Sequence, residues 1–271
     1  MIEAPSARRL LIGAALRRYR EDLGLLLEDA ARVLECDRSK ISRIETGQRG
    51  IRPKELRELL DEYGVAEQEQ RTLAAIAQAR GRGSRPRYGG DALPGPYREY
   101  LALEQGASEI FIYDPQHIPD LLQTPRYARA SWTGNPSFQP VDAELTISRQ
   151  QFLSERQARL TAVIGEAALR QVHGDPEVVR DQLRALAAVG GQAAVHVLQS
   201  RRVPPSSGPA TILRFAAMPG LGAVYLPGLS GGACLTGWQD VTSHADAFQQ
   251  LRASALPPAA SVRLIQEIAT A

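Results

Sequence analysis

Apolar residues recur at helical spacing over residues 8–23, at Leu11, Ile12, Ala15, Leu16, Tyr19 and Leu23, and the pattern stops at Gly24. This predicts a first helix. A second, over 27–34, turns Ala30, Ala31 and Leu34 inward. A third follows Asp37, which suits an N-cap because its carboxylate can accept a free backbone N–H. Ile41 and Ile44 form its apolar stripe, and Gly47 suits the position just past its end. Pro53 fits the first position of a fourth helix that runs through Leu56, Leu59, Leu60 and Tyr63 to Gly64. A fifth covers about 67–80. Residues 1–80 thus read as a compact all-α unit of five helices.

Periodicity vanishes over residues 81–96, GRGSRPRYGGDALPGP, which read as a linker. Beyond it the pattern changes. Residues 97–113 read as helical, 118–130 as a turn and a helix start, and 141–160 as a long helix. Strand signals follow at 160–165, 193–199, 211–217, 223–226 and 233–237. A helix over 176–189 separates the first two strands, and helices over 240–255 and 259–269 close the chain. Residues 97–271 are therefore expected to form an α+β domain with a small, mainly antiparallel sheet.

The 271 residues allow two domains, and 44% hydrophobic content allows a sizeable core. No apolar run approaches the length of a membrane span, and the N-terminus lacks a secretory pattern, so a cytoplasmic protein is expected. Cys36 and Cys234 lie far apart in no metal-ligand spacing and read as free thiols. The net charge of +2 does not by itself point to nucleic acid, but charge is concentrated locally. From Arg38 to Lys54 there are six basic residues against one acid, Glu45. Only Lys40 and Lys54 are lysines among the 32 basic residues, a bias that suggests a GC-rich, actinobacterial genome.

The chemistry concentrates in LLEDAARVLECDRSKISRIETG, residues 26–47. A short helix, a tight turn and a second short helix bearing Arg38, Ser39, Lys40, Ser42 and Arg43 make the layout of a DNA-reading helix-turn-helix. Residues 9–64 resemble the Cro/C1-type (XRE) helix-turn-helix family, most specifically at RSKISRIETG. The resemblance implies that Arg38, Ser39 and Arg43 contact bases. It puts Lys40 and Ser42 within reach of base or phosphate, and Arg49, Arg52 and Lys54 on phosphate. It also implies an ion pair between Arg20 and Glu45. Leu26 and Leu27 stand where the family has a hydroxyl cap and a phosphate-holding Gln, a loss of about 1 kcal/mol of helix stability. Two exposed leucines there suit a protein contact. Glu35 stands where the family has a left-handed Gly, at a cost of roughly 1–2 kcal/mol.

YREYLALEQGASEIFIYDPQHIPDLLQTPRYARA (97–130), EAALRQVHGDPEVVRDQLRAL (166–186) and FQQLRASALPPAASVRLIQEI (248–268) resemble the domain of unknown function, DUF5753, that follows XRE domains in many streptomycete regulators. The resemblance implies an antitoxin-like transcriptional regulator of development or secondary metabolism, acting with a small partner protein. RPRY stands at 85–88, where that family commonly has a Trp pair. The enzyme signatures are absent: His117, His173, His196 and His244 are scattered, and GLSGGACLTG (228–237) reads as a hairpin turn. Glu104, Glu109 and Glu166 read as Arg partners or helix caps, and Trp132, Trp238, Phe111, Tyr113 and Tyr127 as core. No enzyme, metal, cofactor or membrane is expected. The expectation is a regulator that binds a double-stranded DNA operator, as a homodimer because one recognition helix reads few base pairs. Two other readings stay open: a small-molecule-responsive regulator with a pocket in 97–271, and a protein-interaction module without DNA function.

Overall fold

The computed structural model describes residues 6–78, 95–130, 143–171, 175–191, 193–204, 208–216, 220–228 and 231–270. Most of the expected linker, together with RPRY, His173 and Trp132, lies outside them. Five helices come first: α1 (Ala7–Asp22), α2 (Leu27–Val33), α3 (Arg38–Glu45), α4 (Pro53–Glu62) and α5 (Glu67–Gln78). Leu11, Leu16, Ala30, Ile41, Ile44, Leu56, Leu59, Leu60, Leu73 and Ile76 form their common core. Leu23, expected inside, is exposed past the end of α1. Ser6 caps α1 by accepting from the Arg9 N–H. Asp37 occupies the cap position of α3, but its carboxylate makes no capping bond; its backbone carbonyl accepts from the Lys40 N–H at 2.9 Å. Glu35 takes φ 46° in the α2–α3 turn, the left-handed region that a Cβ disfavours.

The second half contains α6 (Gly95–Glu104), β1 (Glu109–Asp114), α7 (Pro125–Ala130), α8 (Ala143–Glu155), β2 (Arg159–Gly165), α9 (Glu166–Arg170), α10 (Pro176–Ala187), β3 (Ala193–Leu198), β4 (Ala210–Arg214), β5 (Gly222–Leu226), β6 (Ala233–Leu235), α11 (Trp238–Ser254) and α12 (Pro258–Thr270). The fold is α+β, with a six-stranded sheet in the order β3-β2-β1-β4-β5-β6. The β1–β4, β4–β5 and β5–β6 pairings are antiparallel, whereas β3–β2 and β2–β1 are parallel. Side chains alternate across the sheet. Ile112, Ala162, Ile164 and Val197 join the larger core, whereas Tyr113, Val163, Ile212 and Val224 pack with Val241 and Phe248 of α11.

Three local expectations are corrected. The helix expected over 97–113 starts earlier, at Gly95, and ends at Glu104, and 109–114 is the strand β1. Its run of Ile110, Phe111, Ile112 and Tyr113 is β-branched and aromatic, and three of the four are buried because β1 lies inside the sheet. The helix expected over 141–160 stops at Glu155, since Gln157 at φ 57° turns the chain into β2. Trp238 is exposed at the start of α11 and is no part of the core.

The two halves touch. One buried apolar cluster extends from the five helices into the α+β half. A Cβ built on Gly106 would lie 2.9 Å from the Ile76 side chain of α5 and 3.4 Å from Phe215. The Glu99 carboxylate of α6 accepts the Arg8 N–H at the start of α1, at 3.1 Å. A free N–H at a helix N-terminus is thereby satisfied from the other half of the chain.

Candidate nucleic-acid interface

Successive residues of α3 turn by about 100°. Arg38, Ser42, Ser39 and Arg43 therefore share one arc of roughly 140°, and all but the half-buried Ser42 are exposed. Ile41, Ile44 and Glu45, all buried, occupy the other side with Lys40 at its margin. The apolar stripe thus decides which polar side chains face outward.

The buried side of α3 is fixed to α1 in two ways. Arg20 donates to Glu45 through Nε at 2.7 Å and Nη2 at 2.8 Å, and through Nη1 to the Leu25 carbonyl at 2.8 Å. Both side chains are buried. The hydrogen bond to Glu45 raises the Arg20 pKa above its ordinary value. Beside this pair the backbones meet: a Cβ on Gly13 would sit 2.5 Å from the Ile44 carbonyl oxygen and 2.6 Å from that of Glu45. Only glycine at position 13 permits this approach.

Arg38 meets Glu28 of α2, Nη1 to Oε1 at 3.1 Å, with both side chains exposed. Arg43 folds back along its helix, its Nε donating to the Ser39 carbonyl at 3.1 Å. Lys40, expected within reach of base or phosphate, is held by another helix. It is only 17% exposed and bonds Glu55 of α4 at 2.7 Å. Burial pushes the Glu55 carboxyl up, but the Lys40 ammonium and the Arg52 N–H outweigh it and hold the carboxyl below its ordinary value. Arg49, Arg52 and Lys54 are exposed in and after the α3–α4 loop, which begins with the Arg49 N–H on the Arg43 carbonyl. Lys54 pairs loosely with Glu58 at 3.5 Å.

Two residues join this surface that the sequence pattern did not single out. Arg9 is exposed, and its Nε lies 3.7 Å from where a Cβ on Gly50 would stand, beside Arg49. Its spacing in α1 carried no sign of this, because the neighbour comes from the α3–α4 loop. Glu28 is the other; its i−10 relation to Arg38 is no local motif. At the start of α2, Leu26 is 65% exposed and supplies no side-chain cap, while Asp29 accepts its N–H at 2.7 Å. Leu27, expected to be exposed beside it, packs against the core instead.

In the α+β half, Glu104 has an arginine partner. Buried Arg149 of α8 donates to it at 2.7 and 2.6 Å, to the Tyr100 hydroxyl at 3.0 Å, to that of Tyr97 at 3.3 Å, and to Asp120. Tyr100 stacks on Tyr225 with ring centroids 4.5 Å apart. Glu166 pairs with Arg170 in α9. Glu109 begins β1 opposite Arg159 and Arg214. Phe111, Tyr113 and Tyr127 are packing residues, Phe111 lying against Phe248. His117 bonds Asp114, whose carboxylate raises its pKa; His196 faces the Leu256 carbonyl and burial lowers its pKa; His244 faces the Asp240 carbonyl. These are three separate places in the fold. A cleft of about 470 Å³ beside α8, lined by Ile110, Leu121, Gln150, Leu153 and Leu160, is open to solvent. Among the described residues no helix is long and apolar enough to cross a membrane.

A family model described as a helix-turn-helix domain matches residues 11–73, and one described as a domain of unknown function (DUF5753) matches residues 97–267. Comparison with curated proteins and with solved structures gives no match.

Proposed function

This chain belongs to the DUF5753 family and carries ahead of that region the helix-turn-helix domain of a DNA-binding transcriptional regulator; from that premise we propose how it reads its operator. Arg38, Ser39 and Arg43 contact base edges in the major groove, with Ser42 beside them. The observation that carries this is the outward arc of α3, opposite a side bound to α1 through Arg20, Glu45 and Gly13. Arginine suits the task because its fork matches guanine O6 and N7. Arg49, Arg52 and Lys54, joined by Arg9, grip phosphates and set the register of α3 without carrying sequence information. Lys40 braces α3 against α4 through Glu55, so its reach to DNA is secondary.

The chain acts as a homodimer on a two-part operator, since one eight-residue helix reads too few base pairs for selectivity in a genome. Its DUF5753 half holds the small partner protein that the family resemblance implies. A monomeric mass in the presence of operator contradicts the dimer, and purification of the native protein without a small companion contradicts the partner. The test of DNA reading is substitution. Arg38→Ala and Arg43→Ala each weaken binding to a duplex selected by the wild-type chain by about 1–3 kcal/mol and relax sequence preference at one position. Arg52→Ala weakens binding to all duplexes alike and reduces the salt slope by about 1. Unchanged binding in the α3 variants would favour a protein-interaction module.

A further inference from the structure

We propose that Glu28 is the positioning residue for Arg38, and that it exchanges general DNA affinity for sequence discrimination; this rests on the reading of Arg38 as a base-contacting residue. The two side chains come from different helices, ten positions apart, and meet at 3.1 Å through Arg38 Nη1. Arg38 is the first residue of α3 and highly exposed. A long side chain at such a place samples many rotamers, which must be lost on binding. The Glu28 carboxylate fixes the plane of the guanidinium from one side. The hydrogens on Nε and Nη2 form the opposite edge of the rigid fork and remain for two parallel bonds to one base.

Glu28 has a second effect. Glu28 lines the same cleft as Leu26, Arg38 and Ser42, beside the outward arc of α3. A negative charge there repels phosphates of any sequence. Acting on every sequence alike, this repulsion lowers general affinity, while discrimination comes from the orientation that Glu28 gives Arg38.

The experiment uses the full chain, a duplex that it selects from a random library, the same duplex with the base pair read by Arg38 replaced, and a scrambled duplex. Binding is followed by fluorescence anisotropy over a salt series. Glu28→Gln binds the scrambled duplex about 2- to 5-fold more tightly, with a steeper salt dependence. Its discrimination at the base pair read by Arg38 falls by about 5-fold or more. In an Arg38→Ala background, Glu28→Gln changes discrimination no further. Circular dichroism and thermal midpoint stay at the wild-type values, because the position is exposed. Equal weakening on all three duplexes, or unchanged discrimination with Arg38→Ala still disruptive, overturns the role of Glu28 while leaving the reading of α3 standing. Unchanged binding by Arg38→Ala overturns both.

Discussion

At the scale of single residues, the interface depends on charges whose partners are already chosen. Arg20 and Glu45 are buried and satisfy each other. Such a pair adds little stability over apolar residues of similar size, but removing one partner strands the other charge. Arg20→Met is expected to cost about 3–5 kcal/mol in urea unfolding, and Arg20→Met combined with Glu45→Leu is expected to recover most of it. Simple additivity of the two losses contradicts the account. Glu55 gives a pH signature. Its folded pKa lies below the ordinary value, so its contribution is present above that value and is lost as pH falls through the lower folded value. Acid unfolding followed from pH 7 to 3 is expected to be less steep in Glu55→Gln; an unchanged profile means that Lys40 contributes nothing through this contact.

At the scale of elements, α3 is placed by backbone as much as by side chains. Gly13→Ala drives a Cβ into two carbonyl oxygens of α3. The expected loss is about 1–3 kcal/mol of stability, with a larger loss of operator binding because the reading helix itself must shift. Equal loss in both readouts counts against the placement argument. The same elements show what the sequence made legible. The five helices were readable because each buries one stripe, and Gly24, Gly47 and Pro53 mark their ends through backbone geometry that other residues resist. The left-handed turn at Glu35 and the Arg20–Glu45 pair were readable only through family resemblance. β1 was misread as helix because Ile110–Tyr113 is a continuous apolar run, and a strand inside the sheet shows no alternation. The parallel half of the sheet was not legible, since strand order depends on contacts between residues far apart. Glu28 and Arg9 were missed for the same reason.

At the scale of the molecule, the DNA-binding half does not hang free. α6 is tied to α8 by the Arg149, Glu104 and Tyr100 cluster, and its Glu99 caps α1, which in turn holds α3. Ile76 of α5 rests against Gly106. The chain of contacts from the α+β half to α3 therefore runs through α6 and α1. Gly106→Val is expected to push α5 away and divide thermal unfolding into two transitions, where a single one is expected of the wild-type chain. A single unshifted transition in the variant means that the contact is energetically idle.

The central claim is that the outward face of α3 reads sequence. Its most direct test is equilibrium binding of the full chain to its selected duplex, comparing wild type with Arg38→Ala, Arg43→Ala and, as a control, Arg71→Ala on the exposed face of α5. The account predicts losses of about 1–3 kcal/mol for each α3 variant, concentrated at one base pair each, and none for Arg71→Ala. Equal binding by all four proteins would contradict it.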